Sequence, residues 1–203
     1  MLSGGLDFVW WRRAARVAAA WKPERILDLA TGSGDLALRL EKWNPQATVT
    51  GADFSPEMLA RAKAKGLRNL VLADALHLPF DDASFDAVTV AYGLRNMASW
   101  PDALREMRRV LRPGGHVLVL DFSIPARQPL RAIYRLYLHG ILPVAATVLT
   151  GEKSAYRYLA DSIETFPQGA AMQALLHECG FADATCERLT GGIVSLYTAV
   201  VRG

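Results

Sequence analysis

A short apolar segment that breaks into a glycine-containing turn and then into helix-period sequence constrains this chain more than any other feature. Arg25-Ile26-Leu27-Asp28-Leu29 reads as a strand and Ala30-Thr31-Gly32-Ser33-Gly34 as the turn, while Leu36, Leu40 and Trp43 recur at i, i+4 and i+7 of a helix. Apolar runs then alternate with helical periods, as in an α/β protein built on a mostly parallel sheet. Thr48 to Asp53 is predicted as the second strand, ending at Ser55-Pro56-Glu57, an N-cap with Pro at the first helical position. Gly66 should stop that helix. Leu70 to Asp74 and Phe85 to Ala91 are predicted as strands three and four. Ser99 and Asp102 form a capping pair for a helix carrying Leu104, Met107 and Leu111, which Arg112-Pro113-Gly114-Gly115 should end. His116 to Asp121 follows as strand five. Ala184 to Leu189 and Ile193 to Val201 flank Thr190-Gly191-Gly192 and predict an antiparallel C-terminal hairpin. The expected fold is an α/β, seven-stranded, mostly parallel sheet with helices on both faces. A helical insertion after strand five, about 125–180, stands where it can cover a substrate.

With 203 residues, 51% of them hydrophobic, and no internal repeat, the chain is expected to form one domain. Met1 to Gly5 lacks the basic-then-apolar layout of a secretory signal. The longest apolar stretch, Ile141 to Leu149, contains Pro143 and falls well short of the ~20 residues a spanning helix needs. Cys179 and Cys186 have no partners at ligand spacing, so neither a metal site nor a disulfide framework is expected. They read as reduced, structural thiols in a cytoplasmic protein. A net charge of +3 does not point to nucleic acid, which is not expected as a partner.

Three features converge on the carboxyl ends of the first three strands. Gly32 and Gly34 allow a tight turn and close backbone approach to a ligand. Asp53 ends strand two, where a carboxylate can accept hydrogen bonds from both ribose hydroxyls of an adenosine-containing cofactor. Asp74-Ala75 ends strand three, where the side chain and the next N–H can face an adenine edge. Gly32-Ser33-Gly34-Asp35-Leu36-Ala37 also satisfies the G-x-G-x-x-A dinucleotide pattern, which keeps an NAD-dependent oxidoreductase or a non-catalytic nucleotide-binding module in view. No Tyr-x-x-x-Lys pair follows the sheet, which counts against the oxidoreductase.

The run Leu27 to Ala37 resembles motif I of class I S-adenosylmethionine-dependent methyltransferases, whose fold is Rossmann-like. More narrowly, the chain resembles the ubiquinone/menaquinone biosynthesis C-methyltransferase family (UbiE/MenG). That resemblance runs through Ala52-Asp53-Phe54-Ser55-Pro56-Glu57, Asp74-Ala75, Gly93-Leu94-Arg95-Asn96 and Arg109 to Gly115. It ends in Tyr156-Arg157-Tyr158-Leu159 with Ser162-Ile163. It implies S-adenosylmethionine as cofactor, with contacts from Gly32, Ser33, Asp53, Asp74, Ala75 and Ala91, and a reduced polyprenyl quinol as methyl acceptor. Demethylmenaquinol is the first expectation and another small apolar acceptor the alternative. Tyr156, Tyr158 and Ser162 would line the acceptor pocket, although as residues alone they equally fit core aromatics and a helix-surface hydroxyl. Family members usually carry a further N-terminal segment before the Leu-Ser-x-Gly run. Here the chain opens at Met1-Leu2-Ser3-Gly4-Gly5, so either the natural start lies upstream or another element covers the site.

Methylation of a quinol carbon requires an electron-rich ring, and a fixed cation near the developing oxyanion favours it. Arg95, directly after strand four, stands where such a cation belongs. Asn96 is placed to hold the ring oxygen or a water, and Asp121 is a candidate base or orienting group where family members often carry Glu. As residues alone, Arg95 and Asn96 also fit a loop brace and a turn cap. Arg127, Arg131, Arg135 and His139 form a basic ridge on a helix whose apolar side is Leu130, Ile133, Tyr134, Tyr137 and Ile141. Such a helix suits either a peripheral contact with an anionic membrane or an ordinary solvated face. A homodimer is compatible with this reading.

Overall fold

A computed structural model describes residues 5–137, 140 and 160–202 of the chain. Its strands are β1 (Arg25–Leu29), β2 (Thr48–Asp53), β3 (Leu70–Leu72), β4 (Phe85–Ala91), β5 (Leu111–Phe122), β6 (Ala182–Leu189) and β7 (Val194–Val200). They form one seven-stranded sheet in the order β3-β2-β1-β4-β5-β7-β6. The first five run parallel, and β7 lies antiparallel between β5 and β6. This is the expected Rossmann-like arrangement with its closing hairpin.

The two faces of the sheet separate by the two-residue period of a strand. Ile26, Leu118 and Leu120 face one way, toward α1 (Asp7–Ala20), α2 (Asp35–Trp43) and α3 (Pro56–Ala64), which contribute Trp10, Leu40 and Ala62. Leu27, Leu29, Val88 and Val119 face the other, toward Leu104 and Met107 of α4 (Trp100–Val110). Ser55 caps α3 through the Met58 N–H at 3.3 Å, and Ser99 caps α4 through the Asp102 N–H at 3.4 Å, as expected from both sequences.

Several boundaries differ from expectation. Helix α1 was not anticipated; Trp10, Ala14 and Ala18 are its buried stripe, and small alanines give a weak apolar period. Trp43 was expected on the buried face of α2 but is 38% exposed, under the Arg16 guanidinium at 5.5 Å. Strand β5 begins at Leu111 and includes Arg112 to Gly115, the segment read as a helix terminator, because Leu111 pairs with Phe85 ahead of a bulge. Strand β3 stops at Leu72, and Asp74 is held instead by an isolated bridge to His77.

The insertion divides in two. Helix α6 (Ala170–Glu178) buries Met172 and Leu176 in the same core layer as α4, so this stretch belongs to the sheet sandwich rather than to a substrate cover. Before it lie α5 (Leu130–Leu136) and helical residues 160–165. Tyr134 is buried with Ala160 and Ile163, whereas Ile133, expected on the same apolar side, is 60% exposed. Tyr156, Tyr158, His139 and Ile141 lie outside the described residues. Cys179 and Cys186 are free thiols.

Candidate active site

The strand order reverses at β1, with β2 on one side and β4 on the other, so the carboxyl ends of β1 and β4 diverge into a crevice. Asp28, nearly at the end of β1, braces that point. Its buried carboxylate accepts the Thr31 hydroxyl at 2.7 Å and the Thr89 hydroxyl at 2.6 Å, tying β1 to the following turn and to β4. Burial pushes this carboxyl up to about 6, against the two hydrogen bonds and with help from the nearby Asp53 charge.

The turn then enters the left-handed region at Ala30 (φ 51°), Gly32 (φ 56°) and Gly34 (φ 80°). A Cβ on Gly32 would meet nothing within 4 Å, so its backbone faces open space. Gly34 serves differently from expectation: a Cβ there would lie 3.1 Å from the Ala62 Cβ, so it permits α2 and α3 to pack rather than a ligand to approach. Asp53 joins the turn to α3. One carboxylate oxygen accepts the Gly32 N–H at 2.8 Å and the other the Ser55 N–H at 2.9 Å, with the side chain only 5% exposed.

Above these groups opens a cavity of about 690 Å³, within the range of cofactor sites. Gly32, Asp53, Asp74, Ala75, Ala91 and Asn96 all line it. Asp74 turns one oxygen to the Leu76 N–H at 2.9 Å and keeps a largely exposed carboxylate. Ser33 is not in the lining: its hydroxyl donates to Asp35 at 2.6 Å and accepts from Lys65 Nζ at 3.0 Å, on the side of α3. Sequence reasoning missed Phe54, Met58, Tyr92 and Met97, which supply much of the apolar wall. Phe54, 79% exposed directly after the strand-ending Asp53, offers an aromatic face, and its position was the available signal.

Arg95 and Asp121 also lie outside the lining. They form a buried ion pair, Arg95 Nη1 to Asp121 Oδ1 at 2.5 Å, with side chains 9% and 1% exposed. The Arg95 guanidinium also sits 5.3 Å from the Phe122 ring. The expected fixed cation is therefore held as one half of an ion pair. Burial raises the Asp121 carboxyl, and Arg95 opposes the rise. Asn96 stays at the cavity wall and donates to the Tyr92 carbonyl at 3.3 Å. Among the described residues no group of three or more His, Cys, Asp or Glu side chains is placed to hold a metal ion.

Comparison with known proteins gives this site its context. The model of the ubiE/COQ5 methyltransferase family matches residues 1–201. The chain belongs to that family. A demethylmenaquinone methyltransferase of Thermus thermophilus is 46% identical over 202 residues, 97% of this chain and 91% of that protein. One of Deinococcus radiodurans is 42% identical, covering 97% and 83%. A ubiquinone/menaquinone biosynthesis C-methyltransferase of Ectopseudomonas mendocina is 39% identical, covering 98% and 81%. Among solved structures, a methyltransferase in complex with the Haloferax volcanii Trm112 activator superposes with a TM-score of 0.72 at 19% identity, covering 98% of this chain and 93% of that one. A SAM-dependent methyltransferase of Aquifex aeolicus gives 0.68 at 16% identity, covering 98% and 94%. At these identities the solved structures show a shared fold alone, and membership of the ubiE/COQ5 family rests on the sequence match.

Proposed function

We propose that this chain transfers a methyl group from S-adenosylmethionine to a ring carbon of a reduced polyprenyl quinol precursor, with demethylmenaquinol as the leading acceptor. The observation that carries the acceptor is the near full-length match to two relatives named demethylmenaquinone methyltransferase, at 46% and 42% identity. We read the whole chain as one methyltransferase unit.

The residues fit the cofactor. Gly32 leaves open space over its backbone, Asp53 presents a buried carboxylate whose remaining lone pairs suit ribose hydroxyls, and Asp74-Ala75 border the same cavity. S-adenosylmethionine bound there supplies an electrophilic sulfonium methyl. The protein must then orient the acceptor ring, favour loss of its hydroxyl proton, and exclude water. Asn96 at the cavity wall orients a ring oxygen. Arg95, fixed by Asp121, stabilises the developing oxyanion without having to be positioned during the reaction. The buried Asp121 carboxylate, raised by burial against the opposing Arg95 charge, is suited to accept the ring hydroxyl's proton.

Helix α5 fits a peripheral contact with an anionic membrane. Ile133 and Leu136 are 60% and 66% exposed, beside Arg127 and Arg131, while Arg135 is partly neutralised by Glu164 at 3.2 Å. No helix among the described residues is long and apolar enough to cross a membrane. Binding to anionic vesicles no tighter than to neutral ones would remove this contact from the proposal.

The deciding assay offers labelled S-adenosylmethionine with a short-tailed demethylmenaquinol and, in parallel, its oxidised quinone. Label in the quinol alone supports the electron-rich-ring reading. Label in neither, with S-adenosylhomocysteine still bound, means the acceptor is wrong.

A further inference from the structure

Tyr92 follows β4 directly and lines the cavity next to Asn96. Its ring is packed as any aromatic would be, tilted against Phe122 at 4.7 Å and edge-on to Trp10 at 6.5 Å. Phenylalanine would make the same contacts. The hydroxyl is what needs a reason, because it is buried with no hydrogen-bond partner among the described residues, an arrangement that costs stability. The backbone is also unusual: Tyr92 sits at φ 59°, in the left-handed region that a bulky residue rarely adopts. Strain of this kind persists at functional positions.

Two further orphans belong to the same neighbourhood. Arg95 Nε and Asp121 Oδ2 are buried with no hydrogen-bond partner among the described residues, although these side chains pair through their other atoms. The Tyr92 hydroxyl feels the charges of both, and Phe122 touches the rings or guanidinium of Tyr92 and Arg95 alike. Burial, together with the Asp7 and Asp121 charges, raises the Tyr92 phenol, so it stays an O–H donor. The cluster therefore offers two donors and one acceptor. Its complement is an oxygen that accepts two hydrogen bonds and donates one, which describes a hydroxyl group.

We propose that Tyr92 is a specificity-determining residue whose hydroxyl, with Arg95 Nε and Asp121 Oδ2, seats a ring hydroxyl of the methyl acceptor. This rests on the acceptor being a hydroxylated aromatic, as in the proposed function. The ring enters from the cavity, and its hydroxyl donates to Asp121 while accepting from Tyr92 and Arg95. An oxidised quinone carbonyl can accept the two donors but cannot satisfy Asp121, so the seat discriminates for the reduced ring.

The test uses the full chain loaded with S-adenosylhomocysteine and compares binding of 1-naphthol and naphthalene to wild type and Tyr92→Phe. Wild type should prefer naphthol, and Y92F should lose about fivefold of that preference, the worth of one neutral hydrogen bond. The melting temperature should be no lower, since the variant removes an unpaired buried group. An unchanged naphthol preference in Y92F, as expected if the three atoms hold only a water, overturns the proposal. So does a clear fall in melting temperature, which would mean the hydroxyl has a structural partner. A wild type that methylates the quinol while Y92F keeps its preference sinks the seat and spares the function. The reverse pattern, no quinol labelling but a preference lost in Y92F, sinks the function and spares the seat.

Discussion

Gly93 lies where the loop after β4 crosses the glycine turn after β1, and alanine there should disable the site by a steric route that can be undone. Gly93 has an ordinary φ of −98°, so the substitution brings no backbone strain of its own. The added Cβ would stand 2.5 Å from the Ala30 Cβ and 3.2 Å from Val90 Cγ2. Carbon atoms rest at roughly 3.5–4.0 Å, so one of the two backbones must move by about 1 Å. Neither contact is the end of a flexible side chain, and Ala30 carries the cavity wall with it. Overpacking of this kind costs about 1–3 kcal/mol, and displacement of the turn should weaken S-adenosylhomocysteine binding at least tenfold. The assay is urea unfolding with calorimetric titration of S-adenosylhomocysteine on Gly93→Ala, Ala30→Gly and the double variant. Ala30→Gly alone should be close to neutral, because relief of its φ of 51° offsets the extra chain entropy. The double variant removes the clashing atom and should recover most of both losses, a coupling expected only of residues in contact. A double variant no better than Gly93→Ala would refute the steric argument.

Asp53→Ala strips the acceptor from both the Gly32 and Ser55 N–H groups, each bond to a charged group worth about 1.5–3 kcal/mol. Titration calorimetry should show S-adenosylhomocysteine affinity down by more than tenfold, with Asp53→Asn intermediate. The Asp28 carboxyl, raised from 3.8 to about 6, takes up a proton in the folded state before the unfolded chain does. It therefore stabilises the fold as pH falls through about 6 toward 3.8, and that contribution is lost as pH rises again. Asp28→Asn lacks the gain, so the difference in unfolding free energy between wild type and variant should change by about 2.4 kcal/mol from pH 7.5 to pH 4; a constant difference would show that Asp28 does not titrate there. Arg95→Met leaves Asp121 buried and unpaired, at a cost of about 3 kcal/mol or more in denaturant titrations. Arg95→Met with Asp121→Leu should cost less than the sum of the single changes; strict additivity would mean that the two do not interact.

Features set by a few consecutive residues were legible in the chain itself. The apolar runs of β1, β2 and β4, the Ser55-Pro56 and Ser99 caps, and the left-handed glycines of the turn each express a local period or a local backbone demand. The expected positions of Gly32, Asp53, Asp74 and Ala75 followed from strand ends, which is why they meet in one cavity once the sheet forms. Packing at long range decided the rest. Ser33 turned away because Asp35 and Lys65 offered it partners. Arg95 became half of an ion pair because β4 and β5 are neighbours, which brings Asp121 beside it from 26 residues away. Helix α1 escaped notice because alanines carry little apolar signal, yet Trp10 spans 180 residues to hydrogen-bond Thr190 at 2.8 Å and closes over Tyr92 and Phe122. A residue type declares which bonds it is able to make; which of them it makes depends on the groups the fold sets within about 3 Å of it.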